Sequence, residues 1–179
     1  MNNCLVDSDL FKKYLKDATI YGEYGAGDST YFATLEPYLK EIHSVDSDRP
    51  WIEKTKRRLG DYPVTFYYRD INASHMNWGR PGPKATPEQK RAYSDPIPAA
   101  VDFVLIDGRF RVACALKLHQ AITDSTIIAF DDFLDRGYYH VIKPYYTIIE
   151  QGKKMVILKR NPDVIPPADL IQTYELNMD

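Results

Sequence analysis

Five short apolar segments of this chain are each followed by an acidic residue, and helical or loop segments separate them. Because strands that alternate with helices are typical of an α/β sheet, we predict that the five segments are parallel strands. Ligands of open α/β sheets bind beyond the carboxyl ends of the strands. The acids therefore predict one binding site at one sheet edge. They are Glu23, Asp46, Asp70, Asp107 and the pair Asp131-Asp132.

The spacing of apolar residues predicts a single domain over residues 1–179, with its core at 18–160. The predicted helices are 8–16, 31–40, 48–59, 112–121 and 138–145. The predicted strands are 19–21, 41–45, 64–68, 101–106 and 126–130, followed by an antiparallel hairpin of 147–149 and 155–158. Residues 72–98 are rich in proline and predict a lid loop, and 161–179 predict an irregular surface tail.

The composition excludes several classes of protein. A net charge of −2 and an isoelectric point near 6.1 disfavour nucleic acid as a partner. No apolar run is long enough for a transmembrane segment, and the N-terminus has no basic or long apolar stretch typical of a secretory signal. The two cysteines are too few for a disulfide scaffold. We therefore expect a cytoplasmic protein, in the host cytoplasm if it is viral.

The glycine-rich turn after the first predicted strand is compatible with two cofactors. A dinucleotide fingerprint has a third glycine where this chain has Thr30, and Asp28 would repel a pyrophosphate. S-adenosylmethionine carries no phosphate, its amino group suits Glu23 or Asp28, and its carboxylate suits backbone N–H groups of the turn. The turn therefore favours S-adenosylmethionine. The cofactor-binding residues predicted here are Glu23, Gly25, Gly27, Asp28, Ser29 and Thr30.

Three later residues are also predicted to bind the cofactor. Asp46 lies about 20 residues after the turn and is expected to accept hydrogen bonds from the ribose hydroxyls, which fits either cofactor. Asp70 is expected either to receive the adenine amino group or to cap a helix or loop. Trp78 is expected to stack on adenine, to shield the cofactor, or to anchor its own loop.

Beyond the turn, two stretches are more specific: IDGRFRVACAL at 106–116 and FDDFLDRGYYHV at 130–141. With these stretches and residues 44–46 and 78–81, the chain resembles small class I S-adenosylmethionine-dependent methyltransferases of polysaccharide and glycan synthesis, found in bacteria and large algal viruses. The resemblance covers residues 18–160. It implies a Rossmann-like, doubly wound, mostly parallel seven-stranded sheet with a C-terminal antiparallel hairpin, and methylation of a sugar hydroxyl.

The resemblance also raises the question of a metal. In the wider sugar methyltransferase group the fourth strand often ends Asp-Gly-Asp, and a divalent metal, Mg²⁺ or Mn²⁺, binds the first aspartate and a later Asp-Asp pair. This implies Asp107, Asp131 and Asp132 as ligands. Arg109 stands at the second aspartate of that pattern, which leaves the metal open. Without a metal, the Asp-Asp pair is expected to share a proton or to pair with a cation. The candidate cations are Arg109, Arg111 and Arg136.

A sugar hydroxyl needs a base or a metal before it attacks a methyl group. The predicted catalytic residues are Asp107, Arg109, Asp132 and His140. Asp107 is expected to act as the base or a hydrogen-bond acceptor, with a helix cap as the alternative. Arg109 is expected to stabilise the base or hold the sugar. His140 is expected to shuttle a proton, with a structural role as the alternative.

The sequence indicates the methyl acceptor less directly than it indicates the cofactor. Of the 14 tyrosines, seven fall near the predicted site in the sequence, which favours a sugar or glycan. The alternatives are a small-molecule, catechol-like O-methyltransferase, a dinucleotide-dependent oxidoreductase and a non-enzymatic adenosine-ligand binder. The sequence leaves a homodimer open. The seven tyrosines are Tyr21, Tyr24, Tyr31, Tyr138, Tyr139, Tyr145 and Tyr146.

Overall fold

Seven strands form one mixed sheet in the computed structural model, which describes residues 5–73 and 78–177. Their order across the sheet is β3-β2-β1-β4-β5-β7-β6. The first five strands are parallel, and β7 runs antiparallel to both β5 and β6. The predicted α/β sheet with its C-terminal hairpin is therefore confirmed. The strands are β1 (Ile20–Tyr24), β2 (Glu41–Asp46), β3 (Thr65–Tyr68), β4 (Phe103–Ile106), β5 (Ile127–Phe130), β6 (Tyr146–Gln151) and β7 (Val156–Arg160).

Helices connect the strands and cover the sheet. In the described part of the chain, every helix is too short or too polar to cross a membrane. A 3₁₀ helix occupies Gly137–Tyr145, where a short helix was predicted. The α-helices are α1 (Ser8–Leu15), α2 (Asp28–Ala33), α3 (Arg49–Leu59), α4 (Pro87–Tyr93), α5 (Arg111–Ala121) and α6 (Ala168–Leu176).

The central strand β4 shows why the sheet is buried on both faces. All four of its residues are buried. Phe103 and Leu105 belong to one apolar cluster, and Val104 and Ile106 belong to another. Because successive side chains of a strand point to opposite faces, each face of the sheet has its own core. The uninterrupted apolar run of β4 is therefore explained by burial of the strand on both faces of the sheet.

The prediction for the helix after the first turn was wrong in its bounds. The sequence predicted 31–40, whereas α2 ends at Ala33 and leaves Pro37 outside. Proline lacks an N–H and disfavours a helical residue before it, so the helix ends well ahead of it.

Two segments predicted to be irregular contain helices. Within the predicted loop, α4 begins at Pro87, and the Thr86 side chain accepts from the Gln89 N–H in a capping box. Proline is favoured in the first turn of a helix, so Pro87 starts a helix here. In the predicted tail, α6 packs on α4 and α5, and Glu175 lies 2.6 Å from Lys117. The irregular tail was therefore wrong, while the lid role of 72–98 stays a prediction.

Candidate functional site

A cavity of about 980 Å³ opens at the carboxyl ends of β1, β2, β4 and β5. It is lined by the turns that follow these strands, together with the start of α3 and residues Trp78 and Gly79. The register places Tyr24, the last residue of β1, beside Val45 and Ile106, so the turns emerge at one level. The strand-end acids that the cavity brings together are Asp46, Asp107, Asp131 and Asp132.

Two glycines allow the turns after β1 and β4 to touch. Gly25 has a φ of +98°, and a Cβ there would lie 2.8 Å from the Gly108 nitrogen. A Cβ at Gly108 would lie 2.9 Å from the Gly25 nitrogen. By contrast, a Cβ at Gly27 would meet nothing within 4 Å. Close approach therefore requires glycine at 25 and 108, and position 27 faces open space.

Glu23 lies beneath the turn and outside the cavity lining, although it was predicted to contact the cofactor. The side chain is fully buried. It accepts hydrogen bonds from Ser29 (2.6 Å), Ser44 (2.7 Å), Tyr21 (2.8 Å) and Thr30. Burial raises the pKa of Glu23 to about 7, against the lowering effect of these donors. The network fixes the first turn of α2 from below, so Glu23 and Thr30 support the turn.

Asp46 joins the turn after β1 to the start of α3. One carboxylate oxygen accepts from the Ala26 N–H at 2.9 Å, and the other accepts from the Asp48 N–H at 2.8 Å. Trp51 donates its ring N–H to the Ala26 carbonyl at 2.7 Å. Burial raises the pKa of Asp46. Both the carboxylate and the turn are thereby held at the cavity wall. Asp48 caps α3, because its side chain accepts from the Trp51 N–H.

Asp28 is paired, which changes the argument made from its charge. Its carboxylate lies 2.5 Å from Arg58, whose guanidinium stacks 4.3 Å from the Tyr31 ring centroid. Asp28, Ser29 and Arg58 all line the cavity. Because Arg58 offsets the charge of Asp28, repulsion of a pyrophosphate is weaker than the sequence suggested.

The other two predicted cofactor residues lie in different settings. Asp70 is exposed and outside the cavity lining; its carboxylate accepts from the Asn72 N–H at 2.7 Å and from Gln89 at 3.3 Å. This is the loop-capping alternative. Trp78 lines the cavity with 83% of its surface exposed and has a left-handed backbone, φ 53°. A large exposed ring on strained backbone is typical of a ligand-contact position.

Asp107, Asp131 and Asp132 form a compact acidic cluster, with one ligand atom from each within 4.8 Å of the others. Arg111 lies at its centre. It is 2.8 Å from Asp107 and 3.4 Å from Asp132. Arg136 is 2.7 Å from the same Asp132 oxygen. The pairing of the Asp-Asp segment with cations is therefore observed.

Of the three candidate cations, Arg111 contacts two of the aspartates and Arg109 contacts none in the described part of the chain. Arg109 instead donates to the Trp78 carbonyl at 2.9 Å, and its backbone N–H donates to the Tyr93 hydroxyl at 3.0 Å. Asp107 lies four residues before Arg111 but outside α5, which begins at Arg111, so helical periodicity does not predict this pair.

Asp131 contains a buried oxygen that no other group in the described part of the chain satisfies. The side chain is 7% exposed, lines the cavity, and its Oδ1 has no hydrogen-bond partner in the described part of the chain. Burial, reinforced by the charges of Asp107 and Asp132, raises the pKa of Asp131 to about 7. Burial also raises the pKa of Asp107, against the effect of Arg111. Asp131 therefore combines a place in the cavity lining, an unused buried acceptor and a pKa near neutrality.

The cluster does not fit a divalent metal ion. Such an ion takes several oxygen ligands at about 2.0–2.6 Å. The oxygens Asp107 Oδ1 and Asp132 Oδ2 are already bonded to Arg111, and Asp132 Oδ2 also to Arg136. An ion that took these two oxygens would have to displace the guanidinium of Arg111, which is buried.

The structure places His140 away from the proton-shuttle position expected from the sequence, and it does not show the helix cap considered for Asp107. His140 lies outside the cavity lining, with Nε2 3.1 Å from the Phe133 carbonyl and its ring 4.9 Å from that of Phe133. This is the structural alternative. Asp107 does not cap α5, which follows Phe110 without a side-chain cap.

The seven tyrosines do not gather at the cavity. None of them is among the described residues that line it; Tyr24 and Tyr139, for example, are buried in the core. The aromatic residues at the cavity are Trp51, Trp78 and Tyr93. The tyrosine count therefore gives no support for a sugar ligand.

Comparison with known proteins identifies the fold. No protein-family model matches this chain, and no curated protein matches it either. Among solved structures, a methyltransferase-like protein from Silicibacter pomeroyi is similar over 99% of this chain and 97% of its own, with a TM-score of 0.85 and 27% identity.

Two more distant structures agree. N-methyltransferase NodS from Bradyrhizobium japonicum, in complex with S-adenosylhomocysteine, matches with a TM-score of 0.54 and 11% identity, over 88% of this chain and 89% of its own. Human N-acetylserotonin methyltransferase, in complex with S-adenosylmethionine, matches with a TM-score of 0.50 and 13% identity, over 85% of this chain and 50% of its own. The chain therefore has the Rossmann-like fold of class I S-adenosylmethionine-dependent methyltransferases.

Proposed function

We propose that this protein is an S-adenosylmethionine-dependent O-methyltransferase that acts on a hydroxyl of a sugar in a glycan or sugar conjugate. One observation carries the proposal: in a methyltransferase fold, four strand-end acids and the Gly25–Gly108 contact converge on one cavity. The acids favour a cationic ligand, and S-adenosylmethionine carries both a sulfonium and an ammonium group.

The cofactor is expected to lie across the ends of β1 and β2. Asp46 would accept hydrogen bonds from the ribose hydroxyls, since its carboxylate is fixed at the cavity wall by two backbone N–H groups. Asp28 and Ser29, at the start of α2, would bind the amino-acid portion. Glu23 and Thr30 would act indirectly, by holding the turn. Trp78, which also lines the cavity, would cover the bound molecule.

Methyl transfer is a displacement at carbon, in which the acceptor oxygen bonds to the methyl group as the carbon–sulfur bond breaks. The electron pair of that bond stays on sulfur, which leaves S-adenosylhomocysteine. The hydroxyl proton must go to a base. Asp131 is the base we assign, because it lines the cavity, its buried Oδ1 has no hydrogen-bond partner in the described part of the chain, and the group has a pKa near 7. Asp107 and Asp132, held by Arg111, would orient the acceptor.

A sugar acceptor rests on the sequence resemblance and on the chemistry of the cavity walls. Carboxylates accept hydrogen bonds from sugar hydroxyls, and the exposed face of Trp78 suits the apolar face of a sugar ring. Arg109, which is fixed to the Trp78 carbonyl, would contact the acceptor beside it. We place the reaction in the cytoplasm.

A dinucleotide-dependent oxidoreductase fits the strand order less well. The doubly wound dinucleotide fold has the order 3-2-1-4-5-6. Here the antiparallel β7 lies between β5 and β6. Thr30 stands at the third glycine position, where the dinucleotide fold uses glycine for close packing of the helix on the strand, and its hydroxyl bonds to the buried Glu23 under the turn.

Thermal-shift titration tests the cofactor. The melting temperature should rise with S-adenosylhomocysteine and S-adenosylmethionine, and stay unchanged with NAD(H) and NADP(H). Stabilisation by a dinucleotide instead of S-adenosylhomocysteine would overturn the assignment.

A further inference from the structure

We propose that Arg111 is a built-in cation for the acidic cluster of Asp107, Asp131 and Asp132, and that it keeps divalent metal ions out of the site. The inference rests on the proposed function, because it concerns the same site. It implies that methyl transfer by this chain needs no metal ion. Arg111 is then a positioning residue, since it acts through the aspartates that face the cavity.

The guanidinium is fixed from several directions. Its Nη2 is 2.8 Å from Asp107, and its Nη1 is 2.8 Å from the Asp131 carbonyl and 3.4 Å from Asp132. Its Nε donates to the Gly108 carbonyl at 3.1 Å. The planar fork of arginine suits such a set of acceptors, which a flexible ammonium group does not match. The backbone contacts hold Arg111 in place independently of the carboxylates.

Burial makes the arrangement difficult to exchange for a metal. Arg111 is 6% exposed, and Asp131 is 7% exposed. Replacing the guanidinium at these carboxylates would leave its charge buried without a counter-ion, which is strongly unfavourable. Conversely, removal of the guanidinium would leave three carboxylates facing one another. A hard divalent cation with oxygen ligands is the usual remedy for such a cluster.

The charges in the cluster support the same role. The three carboxylates are faced by Arg111 and Arg136, and Arg111 is the one that bridges Asp107 and Asp132. Arg111 thereby orients both carboxylates and leaves Asp131 Oδ1 without a hydrogen-bond partner in the described part of the chain. A metal ion would instead occupy that free oxygen. The guanidinium of Arg111 therefore supplies the positive charge that a bound metal ion supplies in metal-dependent enzymes.

The test is titration with Mn²⁺, followed by electron paramagnetic resonance, of the wild type, Arg111→Ala and Arg111→Lys. The wild type and Arg111→Lys should leave Mn²⁺ free, since both keep a positive charge at this point. Arg111→Ala should bind Mn²⁺ at least about tenfold more tightly than the wild type, because it exposes uncompensated carboxylates. Arg109→Ala is the matched control: it removes a neighbouring arginine that lies outside the cluster's ion pairs, and should gain no binding.

Stoichiometric binding of Mn²⁺ to the wild type that is lost in Asp131→Asn would overturn the inference. This result needs no variant at Arg111, so the inference stays testable if Arg111→Ala does not fold. S-adenosylhomocysteine binding is measured on the same samples. A wild type that binds neither S-adenosylhomocysteine nor Mn²⁺ would contradict the proposed function and leave the role of Arg111 intact. A wild type that binds both would contradict the role of Arg111 and leave the proposed function intact.

Discussion

The N–H of Ala26 donates a hydrogen bond of 2.9 Å to the Asp46 carboxylate, and so joins the turn after β1 to the end of β2. The second oxygen of Asp46 accepts from the N–H of Asp48. The carboxylate is therefore oriented before any ligand arrives. Pre-organisation of this kind lowers the entropic cost of binding. It also makes Asp46 the position at which loss of one side chain should affect cofactor binding most clearly.

We expect Asp46→Ala to weaken S-adenosylhomocysteine binding by roughly 10- to 100-fold, because hydrogen bonds to a charged group contribute about 1.5–3 kcal/mol. Isothermal titration calorimetry measures the effect. Asp61→Ala is the matched control, since Asp61 is exposed and lies outside the cavity lining. Unchanged affinity in a folded Asp46→Ala protein would show that the ribose does not bind there.

Substitution by alanine should have different effects at Gly25 and Gly27, the two glycines of the turn after β1. Gly25→Ala should destabilise the protein by about 1–3 kcal/mol and weaken cofactor binding, because a Cβ at this left-handed position meets the backbone of Gly108. Gly27→Ala should leave stability nearly unchanged, since its Cβ meets nothing within 4 Å. Urea denaturation of both variants provides the comparison. Equal destabilisation would mean that the contact between the turns is not tight.

The sheet and its strand-end acids could be predicted from the sequence, because apolar runs ending in acids have few other interpretations. The run of Phe103–Ile106 before Asp107 is an example. Helix limits were less predictable where proline was involved. Pro37 lies beyond the end of a helix, whereas Pro87 begins one, and only the capping partners Thr86 and Gln89 distinguish the two cases.

Glu23 should make stability depend on pH. Burial raises its folded pKa to about 7 from an ordinary value of 4.5, so between these values the folded state holds a proton that the unfolded state has released. Its contribution is therefore fully present below pH 4.5 and is lost as pH rises through 7, by about 3 kcal/mol at most. Glu23→Gln should remove this part of the decline.

Denaturation of the wild type and Glu23→Gln at pH 5 and pH 8 checks the sign. The wild type should lose more of its free energy of unfolding than the variant between the two pH values. An equal loss would show that another group, such as Asp46, is responsible.

Asp131→Asn should lower kcat by roughly 100- to 10,000-fold, the usual contribution of a general base. Its affinity for S-adenosylhomocysteine should change little. In the wild type, kcat should rise with pH through about 7 as Asp131 loses its proton. A stopped assay of S-adenosylhomocysteine release over a pH series measures both. A variant that keeps full kcat would transfer the role of base to Asp107.

The details of the acidic site could not be predicted from the sequence, because they depend on side-chain direction. Arg109 and Arg111 are two residues apart, yet one bonds to the Trp78 carbonyl and the other enters the acidic cluster. His140 follows the Asp-Asp pair closely in the chain but turns to the Phe133 carbonyl. Proximity in sequence was a poor guide for these residues, as it was for the tyrosines.

Detection of methyl transfer to a sugar hydroxyl is the most direct test of the proposed function. The protein is incubated with S-adenosylmethionine labelled with ¹³C at the methyl group and a panel of monosaccharides, nucleotide sugars, short glycans and catechols, and products are followed by NMR. We expect an O-methyl signal on a sugar acceptor, with S-adenosylhomocysteine formed in equal amount and no loss of signal in EDTA. Methylation confined to catechols, or binding of S-adenosylhomocysteine with no transfer to any acceptor, would contradict it.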